Sequence, residues 1–151
     1  MTDRTPTGGL ALALALALMP HVARAQAPVE ERYKLVEIGG KALPVEVEKG
    51  RRCSEYVTGA TLTLRPDSVW TLEYGKRDVC GDREETETEH EDGRYSVVAD
   101  SIRFHDDDDH DDDDDDEDDI DVDHLASATR APDGRLTARL DDGRTVLVFR
   151  R

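Results

Sequence analysis

Residues 59–76, which read GATLTLRPDSVWTLEYGK, contain the pattern that predicts the fold. Apolar and polar residues alternate on both sides of a Pro-Asp-Ser turn, which is typical of a β-hairpin whose strands each bury one face. We therefore expect two antiparallel strands with a shared apolar face. The side chains predicted to lie on that face are Ala60, Leu62, Leu64, Trp70, Leu72 and Tyr74.

The same alternation recurs along most of the chain, and no segment keeps a helical period of 3.6 residues. Turn residues separate the alternating segments, and no connection is long enough for a crossover helix. The predicted extended segments are 33–38, 42–48, 59–65, 69–76, 83–91, 94–98, 101–105, 120–130, 135–140 and 145–150. Short connections favour antiparallel neighbours, and closure into a barrel removes exposed edges. The sequence predicts an all-β, antiparallel up-and-down barrel of about 8–9 short strands, with a β-sandwich as the alternative.

Several short motifs mark the starts and ends of these segments. They are, in order, Tyr33-Lys-Leu, Gly40-Lys-Ala-Leu-Pro44, Gly59-Ala-Thr-Leu-Thr-Leu64, Gly93-Arg-Tyr95, Ile102-Arg-Phe104 and Leu147-Val-Phe-Arg150. Their order resembles that of the small bacterial lipocalin-like domains found in exported proteins, across residues 33–150. The resemblance implies a β-barrel that holds a small apolar ligand, and it brings no catalytic residues. The chain departs from these domains in its long acidic insert.

The N-terminal region has the features of a secretory signal peptide. Residues 10–19 are an uncharged apolar run that ends before Pro20. The run is too short to cross a bilayer, which needs roughly 20 apolar residues. Ala23 and Ala25 form the small-x-small pattern that signal peptidase recognises, so we expect cleavage after Ala25. A second pattern, Ala25 and Ala27, is less favourable because Pro28 follows it.

This interpretation divides the chain into a signal peptide, residues 1–25, and one mature domain, residues 26–151. No later apolar run in the sequence approaches spanning length. We therefore expect a periplasmic or secreted protein that does not span the membrane.

The sequence contains two cysteines, Cys53 and Cys80. Oxidising compartments favour a disulfide between an even pair. Free thiols or metal ligands are the alternative, but neither cysteine has a CxxC partner. We predict a disulfide.

The formal net charge of −16 is concentrated in one place. Residues 106–123 hold 15 acidic groups and no basic ones, while the rest of the mature chain has 20 acids and 18 bases. The sequence contains no basic stretch to neutralise phosphates, which disfavours nucleic acid as a partner.

Residues 106–119, hereafter the acidic run, predict a solvated loop insert between two strands. Dense carboxylates suit calcium or another divalent cation, and neighbouring histidines (His105, His110, His124) suit zinc, nickel or copper. The candidate ligands are Asp106, Asp108, Asp111, Asp112, Asp114, Asp116, Glu117 and Asp119. In an EF-hand register from Asp106, Asp111 stands where the bend requires glycine. We therefore expect weak, multivalent binding. The alternative is that the run has no role.

No residue pattern indicates an enzyme. The serines lie in no nucleophile-elbow context, and Glu87 and Glu89 alternate on a predicted solvated face where they increase solubility. Four aromatic residues are the candidates for an apolar ligand pocket, with an ordinary core role as the alternative. They are Trp70, Tyr74, Tyr95 and Phe104. The sequence thus predicts a non-enzymatic protein that binds a small apolar ligand or, alternatively, divalent cations or a surface partner through its acidic run.

Overall fold

The structure, a computed structural model, describes residues 29–106, 120, 122 and 124–151. The predicted signal peptide and most of the acidic run lie outside these residues. The described chain is all-β and its strands are antiparallel. The strands are β1 (Glu31–Ile38), β2 (Lys41–Ala42), β3 (Val45–Lys49), β4 (Cys53–Leu64), β5 (Val69–Cys80), β6 (Arg83–Val98), β7 (Ser101–Asp106), β8 (Leu125–Arg130), β9 (Arg135–Leu140) and β10 (Val146–Arg150). No helix in this part of the chain is long and apolar enough to span a bilayer.

Eight of the strands close into a barrel. From β4 to β10 each strand pairs with the next, β10 pairs with β1, and β1 pairs with β4. The closing contact runs from Glu31 opposite Leu64 to Lys34 opposite Thr61. The short strands β2 and β3 pair on the edges of β1 and β4. This closure confirms the predicted up-and-down barrel and excludes the sandwich, whose two sheets do not close on themselves.

The barrel interior is filled by apolar side chains. The predicted inward faces are confirmed, because Leu62, Leu64, Trp70, Leu72 and Tyr74 are each at most 1% exposed. The β7, β9 and β10 strands complete the core with Ile102, Phe104, Leu136, Ala138, Leu147 and Phe149. Side chains that lined a cavity large enough for water would keep accessible surface on that side. These side chains keep almost none, so they pack against one another.

The β6 strand corrects one predicted turn. Asp92 and Gly93 were expected to separate two strands, but β6 runs without interruption from Arg83 to Val98. Gly93 lies opposite Trp70 on β5 and opposite Asp106 on β7. A strand glycine also marks a close approach of neighbouring groups. Here the indole of Trp70 lies where a side chain at position 93 would stand.

The segment before β8 corrects a second boundary. A strand was expected from Ile120, but β8 begins at Leu125. Ile120 instead donates its backbone N–H to the carbonyl oxygen of Val47 on β3, at 3.1 Å. Val122 is buried in the core beside it. Ile120 and Val122 therefore lie against β3 and the core at positions that were predicted to belong to the strand.

The opposite end of the barrel is held by an ion cluster. The hydroxyl of Tyr33 donates to the carboxylate of Glu31 at 2.6 Å. The guanidinium groups of Arg130 and Arg151 lie 3.2 and 3.0 Å from the same carboxylate. This cluster joins β1, β8 and Arg151, which directly follows β10, so it stabilises this end of the barrel.

Candidate functional site at the acidic end of the barrel

Three neighbouring strands extend beyond the barrel on one side. The β4 and β5 strands pair from Leu64 and Trp70 up to Cys53 and Cys80, and β6 follows β5 as far as Arg83. Their outer halves, roughly residues 53–58, 76–80 and 83–92, were only partly predicted because they contain few apolar residues. We call this region the acidic end, because its β6 segment from Glu84 to Asp92 holds six carboxylates.

The glutamates of β6 lie on the face that continues the barrel interior. Glu89 is directly opposite Tyr74, whose ring is part of the core. Since alternate residues of a strand share a face, Glu85 and Glu87 follow Glu89 on that side. The expectation that the glutamate face only solubilises the strand is therefore incomplete. Glu89 accepts a hydrogen bond from the hydroxyl of Tyr74.

Lys76 is the central cation of this face. Its ammonium nitrogen lies 3.3 Å from a carboxylate oxygen of Glu55 on β4 and 3.3 Å from one of Glu89 on β6. The same nitrogen lies 5.5 Å from the ring centroid of Tyr74. The side chains of Lys76 and Glu55 are each 20% exposed. The ion pairs thus join three strands in a half-buried setting, where they are less screened than on an open surface.

Burial and neighbouring charges shift the pKa values of Glu55 and Lys76 in this network. Burial is the largest influence on Glu55 and raises the pKa of its carboxyl, against the opposing attraction of Lys76. Asp78 and Glu48 add to the rise. Burial lowers the pKa of Lys76, but Glu55 and Glu89 outweigh it and hold that pKa above its ordinary value. The attraction of Lys76 therefore does not fully offset the cost of burying the Glu55 carboxylate.

Replacing Lys76 with methionine tests this network. The variant leaves two half-buried carboxylates without a counter-ion, so we expect the free energy of unfolding at pH 7 to fall by about 2 kcal/mol, discounted for partial exposure. The loss should shrink as the pH falls through the raised pKa of Glu55, because a protonated carboxyl needs no counter-ion. Urea unfolding from pH 3 to 8 measures both effects.

The matched control for this variant is Lys41→Met. Lys41 is exposed on β2 and forms no ion pair among the described residues. We expect a change within about 0.5 kcal/mol at every pH. Equal losses in the two variants would contradict the assigned role of Lys76.

The predicted disulfide is present at the outermost point of this region. The sulfur atoms of Cys53 and Cys80 are 2.06 Å apart. The two residues are direct partners in the β4–β5 ladder. The bond therefore fastens the ends of the two strands beyond the barrel, where few core contacts hold them.

The acidic run joins the described structure at this same end. Asp106 is the last residue of β7 and lies opposite Gly93, next to Asp92 of β6. Ile120 follows the run and bonds to β3, whose Glu48 lies opposite Glu55. The other predicted cation ligands, namely Asp108, Asp111, Asp112, Asp114, Asp116, Glu117 and Asp119, lie outside the described residues. Within the described residues, no group of histidine, cysteine or acidic side chains is arranged to hold a metal ion.

The four predicted pocket residues do not line an open space. The rings of Trp70 and Phe104 pack edge to face, with centroids 5.6 Å apart. Tyr74 is buried beside them. Tyr95 is half-buried, and its hydroxyl donates to the carbonyl oxygen of Arg65 at 2.6 Å. The first three belong to the packed core, and the hydroxyl of Tyr95 is bonded at the end of the barrel opposite the acidic end.

Comparisons with protein-family models, with curated proteins and with solved structures found no match. The described fold is a closed, eight-stranded antiparallel barrel, which is consistent with the lipocalin-like resemblance at the level of fold.

Sequence reasoning missed the network of Glu55, Lys76 and Glu89. These residues lie on three strands and are far apart in sequence, so only the pairing register brings them together. The available signal was the strict alternation of glutamates in residues 85–91, which placed them on one face without showing which face it was.

Proposed function

We propose that this is an exported, non-enzymatic β-barrel protein whose acidic end binds divalent cations, calcium in particular, weakly and at several points. The acidic run and the glutamates of β6 together form the binding surface. The main support is one structural observation: the chain enters the run beside β6 and leaves it beside β3. Both flanks therefore lie near the half-buried carboxylates of the acidic end.

The chemistry of the surface suits hard cations. Carboxylate oxygens are the ligands that calcium prefers, and 6–8 oxygens surround it in typical sites. Excess negative charge close to Glu55 and Glu89 raises the local concentration of cations. Binding of this kind is screened by salt and does not require one fixed geometry.

Export is consistent with this function. The disulfide between Cys53 and Cys80 is typical of oxidising compartments. We propose that residues 1–25 are removed and that the mature protein is periplasmic or secreted. Extracellular modules bind calcium with dissociation constants of about 0.1–1 mM, so weak sites are useful there.

The packing gives no support to an apolar ligand in the barrel. The interior is occupied by side chains such as Leu62, Trp70 and Phe149, each at most 1% exposed. A ligand there requires these side chains to move apart. The apolar-ligand hypothesis stays a prediction of the resemblance, and no observation in the described residues favours it.

Calcium titration by calorimetry tests the proposal. We expect the purified mature protein, with Gln26 as its first residue, to bind several calcium ions with an apparent dissociation constant of about 1 mM at low salt. Replacing residues 107–119 with a short Gly-Ser turn should abolish most of the heat. Addition of monovalent salt should weaken binding steadily, because screening shortens the reach of the carboxylates.

Paired variants separate the contribution of β6 from a general effect of charge. Glu85→Gln with Glu87→Gln removes two carboxylates at the acidic end, and we expect it to weaken calcium binding. Glu30→Gln with Asp100→Asn removes two at the opposite end, and binding should not change. Undetectable heat at millimolar calcium and low salt would refute the function, as would a Gly-Ser variant that binds like the wild type.

A further inference from the structure

The strands β7 to β10 form a nearly acid-free outer wall in this acidic protein. The strands β8, β9 and β10 contain no carboxylate, and the only one in β7 is its last residue, Asp106. Several exposed basic residues on these strands and on their neighbours β1 and β6 face outward, whereas Arg130 of β8 lies opposite the buried Leu136 and pairs with Glu31. We call the following residues the basic wall: Lys34, Arg94, Arg103, His105, Arg135, Arg139 and Arg150.

One row of the basic wall places like charges side by side. Lys34 on β1 lies directly opposite Arg150 on β10, and Arg150 lies directly opposite Arg135 on β9. Their chain neighbours Leu35 and Phe149 point into the core, so the three cations point outward, and all three are exposed. Like charges directly opposite each other on a sheet destabilise it.

A second row crosses β9, β8 and β7. Arg139 lies opposite Ser127, and Ser127 lies opposite Arg103. Arg94 on β6 lies opposite His105 on β7, two residues further along β7 than Arg103. Between the two rows, the outward positions hold hydroxyl groups. These belong to Ser101, Thr129 and Thr137. Guanidinium and hydroxyl groups in alternation are donors suited to phosphate oxygens.

Within the part of the chain that the structure describes, most cations of the basic wall form no ion pair. Arg135 pairs with Asp133. No carboxylate among the described residues forms an ion pair with Lys34, Arg94, Arg103, Arg139 or Arg150. The basic wall spans six of the eight barrel strands, from β1 through β10 and β9 to β6, so it curves around more than half of the barrel. The chain tolerates an electrostatic cost along these strands, although it has an excess of acidic residues elsewhere.

Exposed apolar side chains border the same wall. The β6–β7 hairpin ends in Val97 and Val98, which are 45% and 71% exposed. Val98 lies opposite Ser101, and the tip of this hairpin is at the end of the barrel away from the acidic end. Val29, the other exposed large apolar residue of the described chain, precedes β1 at this same end.

We propose that the part of the basic wall on β7, β9 and β10, namely Arg103, Arg135, Arg139 and Arg150, forms a docking surface for an anionic phospholipid membrane together with the Val97–Val98 tip. The arginines bind the lipid phosphates, and the valines enter the headgroup region. A basic patch beside exposed apolar side chains favours a membrane over a soluble polyanion, because a polyanion offers no apolar region for the valines to enter.

The acidic end does not prevent the basic wall from docking to an anionic membrane. The acidic end points away from the membrane when the opposite end and the basic wall face it. A six-residue strand spans about 20 Å, whereas screening in physiological salt acts within about 8 Å. Repulsion between a membrane at the opposite end and carboxylates a full strand length away is therefore screened. The docking surface shares no residue with the proposed cation-binding surface, so each is tested by variants that leave the residues of the other unchanged.

Vesicle co-sedimentation of the disulfide-bonded mature protein tests the proposal. We expect binding to phosphatidylcholine vesicles that contain phosphatidylglycerol, no binding to phosphatidylcholine alone, and release at high salt. The triple variant Arg103→Gln, Arg139→Gln, Arg150→Gln should lower the partition coefficient on the order of a hundredfold. All three residues are exposed, so the variant should melt within a few degrees of the wild type.

The matched control removes three exposed arginines near the acidic end, by Arg51→Gln, Arg52→Gln and Arg83→Gln. We expect it to bind the vesicles as the wild type does, while Val98→Ser weakens binding and leaves its salt dependence unchanged. Absence of binding at low salt overturns the proposal, and so does an equal loss in the control and the triple variant. A salt-sensitive dimer that forms without vesicles and is lost in the triple variant would also overturn it, by showing that a second copy occupies the wall.

Discussion

Replacing Gly93 with alanine should lower the free energy of unfolding by about 3 kcal/mol, at the upper end of the usual cost of overpacking. A Cβ atom at this position lies 2.5 Å from the carbonyl oxygen of His105 and 2.7 Å from Nε1 of Trp70. The first is backbone of the paired strand, and the second belongs to a fully buried ring. Neither atom can move without disturbing the β6–β7 ladder or the core. Urea unfolding and thermal melting measure the loss.

The control for Gly93→Ala is Gly59→Ala on β4. A Cβ atom at Gly59 has no neighbour within 4 Å, and the residue does not need a positive φ. We expect this variant to be as stable as the wild type, or slightly more stable because the unfolded chain has less freedom. A Gly93→Ala protein as stable as the Gly59→Ala protein would contradict the close approach of Trp70 to β6.

Removing the disulfide by Cys53→Ser and Cys80→Ser should cost about 3–4 kcal/mol of unfolding free energy in the chain-entropy model. The two cysteines are 27 residues apart in sequence, and the bond restricts the unfolded chain over that loop. Native-state hydrogen exchange should show a second, local effect. Protection should fall for residues 54–58 and 76–79, beyond the barrel, more than for residues 61–64, which pair within it.

Reduction of the wild-type protein provides the control for the disulfide prediction. Dithiothreitol should lower the stability of the wild type to that of the double variant and should leave the variant unchanged. A fully reduced wild type, with its thiols counted, that unfolds at the same urea concentration as before would show that the bond contributes nothing. An even loss of protection along β4 would contradict the local effect.

Local patterns were sufficient to predict the strands of the core. In β5 the alternation of Trp70, Leu72 and Tyr74 fixed which side chains are buried, because successive residues of a strand point to opposite faces. The same reasoning failed where the identity of a residue is dictated by a contact with a residue that is distant in sequence. Asp92 and Gly93 have the composition of a turn, but the core position of Trp70 requires a glycine in the middle of β6.

The candidate surfaces could not be predicted from neighbouring residues alone, because they depend on which strands pair and in what register. The sequence shows that residues 85–91 alternate, but only the register of β6 against β5 places Glu89 opposite Tyr74. The arginines of the basic wall are separated by long stretches of chain, so they form no basic stretch in the sequence. Pairing between β1, β10 and β9 brings Lys34, Arg150 and Arg135 into one row.

The sequence by itself determined the all-β class, the inward residues of most strands, the disulfide and the position of the acidic run in the chain. These properties depend on the alternation of neighbouring residues, on turn chemistry and on composition. The tertiary structure alone decided that β1 closes the barrel on β4, that the glutamates of β6 face the same side as the core, and that basic side chains with no ion-pair partner among the described residues lie on neighbouring strands. These properties depend on which strands pair and in what register, and both are set by packing of the whole core.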